Sequence, residues 1–165
     1  MLFVLRLRIP LYGTLVLFSL LLFCLCCARL NYTTSEFGFY EPIIVELLVT
    51  TLLTIPWALY IIYCIHKRVE TKYVSKFREE IIGLAVLWLF WIVGAADASA
   101  IWVTLPNCQQ DRPCQVLSAL LAFAWLGWVT LSGILVLDTL FVVANKYWVE
   151  PLHGRLDPRI SRVLG

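Results

Sequence analysis

Residues 79–102 read EEIIGLAVLWLFWIVGAADASAIW: two acids, then an apolar run interrupted by one charge, Asp97. An α-helix rises about 1.5 Å per residue and a bilayer's hydrocarbon core is about 30 Å thick, so roughly 20 apolar residues suffice to cross it. This stretch is long enough. Outward from it, three more runs meet the same length, and the four spans fall at residues 9–28, 43–65, 81–105 and 116–144. Residues 1–8 form a short N-terminal segment and residues 146–165 a tail. Pro10 and Pro42 stand at or just before two of the starts, where a missing N–H costs little. The expected fold is all-α, an integral membrane four-helix bundle.

Composition leads to the same place. Of 165 residues, 61% are apolar and 15% charged, against about 45–50% and about 25% in soluble domains. The 13 Lys and Arg and 11 Asp and Glu cannot clothe so much apolar chain, which excludes an ordinary soluble domain. The connecting segments are only 10 to 15 residues long, too short for a soluble catalytic domain. A net charge of +2 gives no reason to expect a nucleic-acid partner.

The position of the cations is more informative than their sum. Arg6 and Arg8 precede the first span, five lie between spans two and three, and four are in the tail; Arg29 and Arg112 alone fall on the other side. Eleven of 13 on one side fits the positive-inside rule and places both termini in the cytosol. The middle loop, HKRVETKYVSKFREE, reads as a topology signal that also suits anionic headgroups. A cleaved signal peptide ending near Ala28 is the competing reading of the first span, but its apolar run exceeds the about 7–15 residues of such a segment.

On the outer side, Asn31-Tyr32-Thr33 is a glycosylation sequon in the first outer loop, making Asn31 a candidate acceptor. Cys108 and Cys114 lie in the second outer loop, where an oxidising compartment would close them into a disulfide. Metal binding there lacks further ligands, since His66 and His153 are on the opposite side. Cys24 and Cys27 have C-x-x-C spacing near the outer end of the first span, and with the outer-loop pair they allow thiol exchange. That is similar to quinone-linked disulfide-forming membrane proteins, without their quinone signature; Cys24, Cys26 and Cys27 otherwise serve as small hydrophobes. Cys64, just before His66-Lys67-Arg68, is a candidate palmitoylation site.

Three acids, Glu46, Asp97 and Asp138, lie within the spans, where a charge at mid-bilayer costs about 2.5–3.5 kcal/mol. From the span centres, Asp97 lies about 6 Å and Glu46 about 12 Å toward the outer side, and Asp138 about 12 Å toward the cytosolic side. An aspartyl-protease dyad needs two carboxylates in one site, and Asp97 and Asp138 differ by about 18 Å in depth. No Lys or Arg falls in a span on these boundaries, so Asp97 is expected to donate a hydrogen bond to a backbone or Ser/Thr oxygen at a packed helix face. A proton or cation path is the sharper alternative, and a channel or transporter would follow from it.

Helical spacing in the third span sorts Trp88, Trp91, Ala95, Ala98 and Trp102 onto one stripe and Phe90, Gly94, Asp97 and Ile101 onto another. Trp57, Trp91, Trp125 and Trp128 are too deep for an interfacial belt; they either fill the bundle or present flat surfaces to rigid lipids such as sterols.

Four spans with cytosolic termini, short loops, a Trp-rich third span ending in Gly94-Ala95-Ala96 and a Cys-bearing outer loop before Ala122-Phe123-Ala124-Trp125 resemble fungal MARVEL-domain proteins over residues 7–145. The resemblance implies a non-enzymatic four-helix module at the plasma membrane or on secretory vesicles, associated with membrane apposition, vesicle traffic and sterol- or sphingolipid-rich patches. It also implies self-association into homo-oligomers, with membrane lipids as partners and no cofactor. Trp88, Trp91, Gly94, Trp102, Trp125 and Trp128 are then the expected lipid or helix contacts. A membrane thiol oxidoreductase is the alternative function.

Overall fold

The computed structural model describes residues 2–38, 41–67, 77–103 and 112–145. They form four helices: α1 (Leu2–Phe37), α2 (Pro42–Lys67), α3 (Phe77–Val103) and α4 (Arg112–Asn145). No strand occurs among the described residues. The stretches long and apolar enough to cross a membrane are Leu7–Glu36, Pro42–His66, Glu79–Ala100 and Gln115–Val143, which suggests a multi-pass membrane protein.

Helices α1 and α4 outrun the expected spans. At 36 and 34 residues they are about 54 and 51 Å long, well beyond a hydrocarbon core. Pro10 does not open α1 but lies inside it, and Pro56 lies inside α2. Each removes one backbone bond to the carbonyl four residues back, a loss that neighbouring helices make tolerable in apolar surroundings. The sequon is likewise not in a loop: Asn31 is exposed on α1, and the Thr33 hydroxyl is buried and bonded back to the carbonyls of Arg29 and Leu30, both at 3.2 Å.

Gly38 ends α1 with a φ of 67°, the left-handed conformation that a glycine adopts freely after the last helical residue. Helix α2 then begins with Pro42 at its first position, and the Glu41 carbonyl accepts from the amides of Ile44 and Val45 at 3.1 and 3.3 Å. Arg29 closes the α1–α2 hairpin from the side, donating to both Glu41 carboxylate oxygens at 2.8 and 3.1 Å. A two-pronged guanidinium contact of this kind fixes geometry as well as charge.

The helices pack as a ring, α1 on α2, α2 on α3, α3 on α4 and α4 back on α1. Side-chain pairings show that neighbours run antiparallel. Between α2 and α3, Leu47 meets Gly94, Thr54 meets Trp91 and Trp57 meets Gly83. Between α3 and α4, Trp88 meets Ser132, Trp91 meets Gly127 and Ser99 meets Trp125. The topology is therefore up-down-up-down.

Glycine and tryptophan fit one another across these interfaces. A Cβ on Gly83 would stand 2.1 Å from the Trp57 ring, and one on Gly127 would stand 2.2 Å from the Trp91 ring. Small residues let a bulky ring lie against the facing backbone, the main packing device where lipid and core are equally apolar. Trp91 is completely buried as a result. Trp88 and Trp128 pack with centroids 5.6 Å apart, and Trp125 meets Trp128 edge to face at 5.6 Å. The outside of the bundle is equally apolar, with Leu17, Leu52, Leu89, Val129 and Leu140 all exposed.

Candidate functional site

Polar chemistry is concentrated in two places at opposite ends of the bundle. The first joins Arg8 and Tyr12 of α1, Glu80 of α3 and Asp138 of α4, none more than 1% exposed. Arg8 and Tyr12 are one turn apart and point the same way. Arg8 donates through Nη2 to Glu80 Oε2, and the Tyr12 hydroxyl donates to Glu80 Oε1 at 2.5 Å, so both carboxylate oxygens of Glu80 are engaged. Arg8 Nε stands 2.9 Å from Asp138 Oδ1, an ion pair whose angle lies outside hydrogen-bond geometry. One guanidinium thus serves two carboxylates on two different helices.

Such a network links α1 to α3 across the ring and to its neighbour α4. It also brackets Pro10, so the turn weakened by the missing amide is held on both sides by side-chain bonds. The cluster is sealed, which suits it to holding helices in register and not to acting on a substrate.

Sequence reasoning assigned Asp138 as an intramembrane acid but missed its partners. Arg8 and Glu80 flank the expected spans, and the expectation that no cation lies in a span is corrected: the first apolar stretch is Leu7–Glu36, so Arg8 and Arg29 both fall inside it. A signal was available. Asp138 lies near the C-terminal end of its span, the level at which α1 and α3 begin.

The second place is a groove of about 630 Å³ between α2 and α3, lined by Pro42, Ile43, Glu46, Val86, Leu89, Phe90, Val93 and Asp97. The pairing of Leu47 with Gly94 also brings Glu46 and Asp97 to one level, so the two acids differ little in depth. Glu46 reaches across: a Cβ on Gly94 would come within 3.3 Å of its Oε2. Asp97 is corrected from a packed face to an exposed position on the groove rim. Gly94 and Asp97 are three residues apart, about 60° around the helix, so one meets α2 while the other faces outward.

The tryptophans divide between core and surface. Trp91, Trp88 and Trp125 donate their indole N–H groups to Thr54, Ser132 and Ser99 at 3.0, 2.8 and 3.1 Å. Each hydroxyl in turn donates a hydrogen bond to a carbonyl one turn back, that of Thr50, Trp128 and Ala95 respectively. Three indole–hydroxyl–carbonyl relays therefore bridge neighbouring helices, each satisfying a polar group with little access to water. Trp125 is partly exposed at the surface, and the side chain of Trp102 lies outside the described residues.

Cys24 and Cys27 are exposed on α1, Cys26 and Cys64 are buried, and none of the four is in a disulfide among the described residues. Burial of Cys64 takes it away from the surface that an acylated thiol must reach. Cys108 and the side chain of Cys114, the expected disulfide, lie outside the described residues, as does the tail. Comparison with protein-family models, curated proteins and solved structures finds no match to this chain.

Proposed function

We propose that this protein is a non-enzymatic organiser of membranes, acting through lateral helix packing and lipid contact, as the likeness to fungal MARVEL-domain proteins implies. In this reading both termini face the cytosol, the membrane is the plasma membrane or a secretory vesicle, and copies of the chain associate side by side. The observation that carries it is the α2–α3 groove, whose wall residues Val86, Leu89, Phe90 and Val93 are 48%, 58%, 44% and 51% exposed. The recess therefore lies on the outer surface of the bundle, where lipid would meet it in this reading, and not in the bundle's interior. An apolar recess of this size, with a few polar groups at one end, has the form of a lipid or small-amphiphile site.

Purification in native lipid tests the function. Sterol or sphingolipid enrichment over bulk membrane, together with self-association in the membrane, is expected; a monomer surrounded by lipid of bulk composition removes the proposal.

A further inference from the structure

The α2–α3 groove is polar at one end and apolar along its length. Glu46 and Asp97 stand at the same level, near the start of α2 and the end of α3. From Asp97, the residues Val93, Phe90, Leu89 and Val86 follow at helical spacing down one stripe of α3, about 16 Å in all. A groove with two acids at one end and an apolar stripe below them matches an amphiphile with a positive head and one chain.

Charge narrows the head group. Among the described residues, neither carboxylate has a hydrogen-bond or ion-pair partner, and no Lys or Arg lines the groove. Arg29, a cation at this end of the bundle, is engaged by Glu41. Two acids side by side beside an apolar trough are neutralised by a proton or by a cation from outside the chain, and an ammonium supplies both the charge and the hydrogen-bond donors. A phosphate on the same head group would be repelled by both acids, and a neutral hydroxyl would leave their charge unmatched. The α2 wall is one helical turn, Pro42 to Glu46, at the level of Asp97; below it the chain would lie along the exposed stripe of α3.

We propose that this groove binds a single-chain lipid bearing an unphosphorylated primary amine, of the sphingoid-base class, with the ammonium held by Glu46 and Asp97 and the chain lying along α3. This assignment rests on the lipid-contact function above and gives it a ligand.

The test uses the full chain in phosphatidylcholine vesicles with three photoactivatable probes of equal chain length: a primary amine, the matching alcohol and the phosphorylated amine. Labelling of α3 by the amine is expected to exceed that by the other two about fivefold or more. It is expected to drop by a similar factor in Glu46→Gln/Asp97→Asn and in Val93→Trp, which fills the trough from an exposed position and spares the core. Equal labelling by amine and alcohol overturns the amine assignment, as does full labelling of the carboxamide variant. If Val93→Trp then still blocks labelling, lipid contact survives while the head-group assignment fails. A lysine-bearing transmembrane peptide is expected not to compete; displacement of the amine by that peptide would give the groove to a protein helix and overturn the proposal. Absence of labelling by every probe, with no lipid enrichment in native purification, removes both the ligand and the broader function.

Discussion

Arg8 Nε lies 2.9 Å from Asp138 Oδ1, which ties the first helix to the last at a buried site. The same guanidinium holds Glu80 of α3, so a single side chain sets the mutual register of three helices. Desolvating these charges is costly, and their mutual attraction offsets that cost only while the set stays complete.

Removing Arg8 alone is therefore expected to be worse than replacing the whole network. Arg8→Ala leaves two buried carboxylates without their cation and should destabilise the bundle by about 3–5 kcal/mol. The triple replacement Arg8→Met/Glu80→Gln/Asp138→Leu should recover most of that loss. Denaturant unfolding of the protein in detergent, followed by far-UV circular dichroism, measures both. A triple variant no more stable than Arg8→Ala would contradict the argument.

Arg8→Lys is expected to behave as a disruptive change despite its retained charge. A point-like ammonium cannot reproduce the separate Nη2 and Nε contacts that bind Glu80 and Asp138. A double-mutant cycle with Asp138→Asn should show coupling of about 1 kcal/mol or more, read from the same unfolding curves.

The Gly127–Trp91 fit predicts that one methyl group is too many. Gly127→Ala puts its Cβ 2.2 Å from a ring that is fully buried and has no space to swing into. The expected cost is about 1–3 kcal/mol of overpacking. Trp91→Phe, which shortens the ring system, should cost less in the Gly127→Ala background than in the native chain. Additive losses in thermal denaturation would mean that the two residues do not share the contact.

Thr54 carries the relay from Trp91 to the Thr50 carbonyl. Thr54→Val keeps the shape but strands a buried indole N–H, at about 1–3 kcal/mol. Thr54→Ser keeps the acceptor and should lose much less. Unfolding midpoints for the two variants give the comparison, and equal effects would show that the methyl group, and not the hydroxyl, matters.

The sequon makes a further prediction. Asn31 sits within α1 and the Thr33 hydroxyl is buried against its own helix, so Asn31 is expected to be unmodified. Mobility on denaturing gels should not change on treatment with a glycosidase that removes N-linked glycans. A downward shift, abolished by Asn31→Gln, would show that this end of α1 opens before the bundle closes.

The sequence by itself determined the number of helices, the limits of α2, α3 and α4 to within a few residues, and the apolar character of the bundle. Those follow from the length of each apolar run against the thickness of a bilayer. It also singled out Glu46, Asp97 and Asp138, because an acid in such a run stands out in any arrangement. Which face of each helix turns inward was decided only by the tertiary structure. In water, the polar face marks the outside; here Leu89 and Val93 on the exterior and Leu84 and Trp91 in the core are equally apolar, so periodicity has no contrast to report. The partners of the charges were hidden for a related reason. Arg8 and Glu80 sit at span ends, where a charge normally indicates topology, and only the packing of α1, α3 and α4 turned them toward Asp138 and away from the surface.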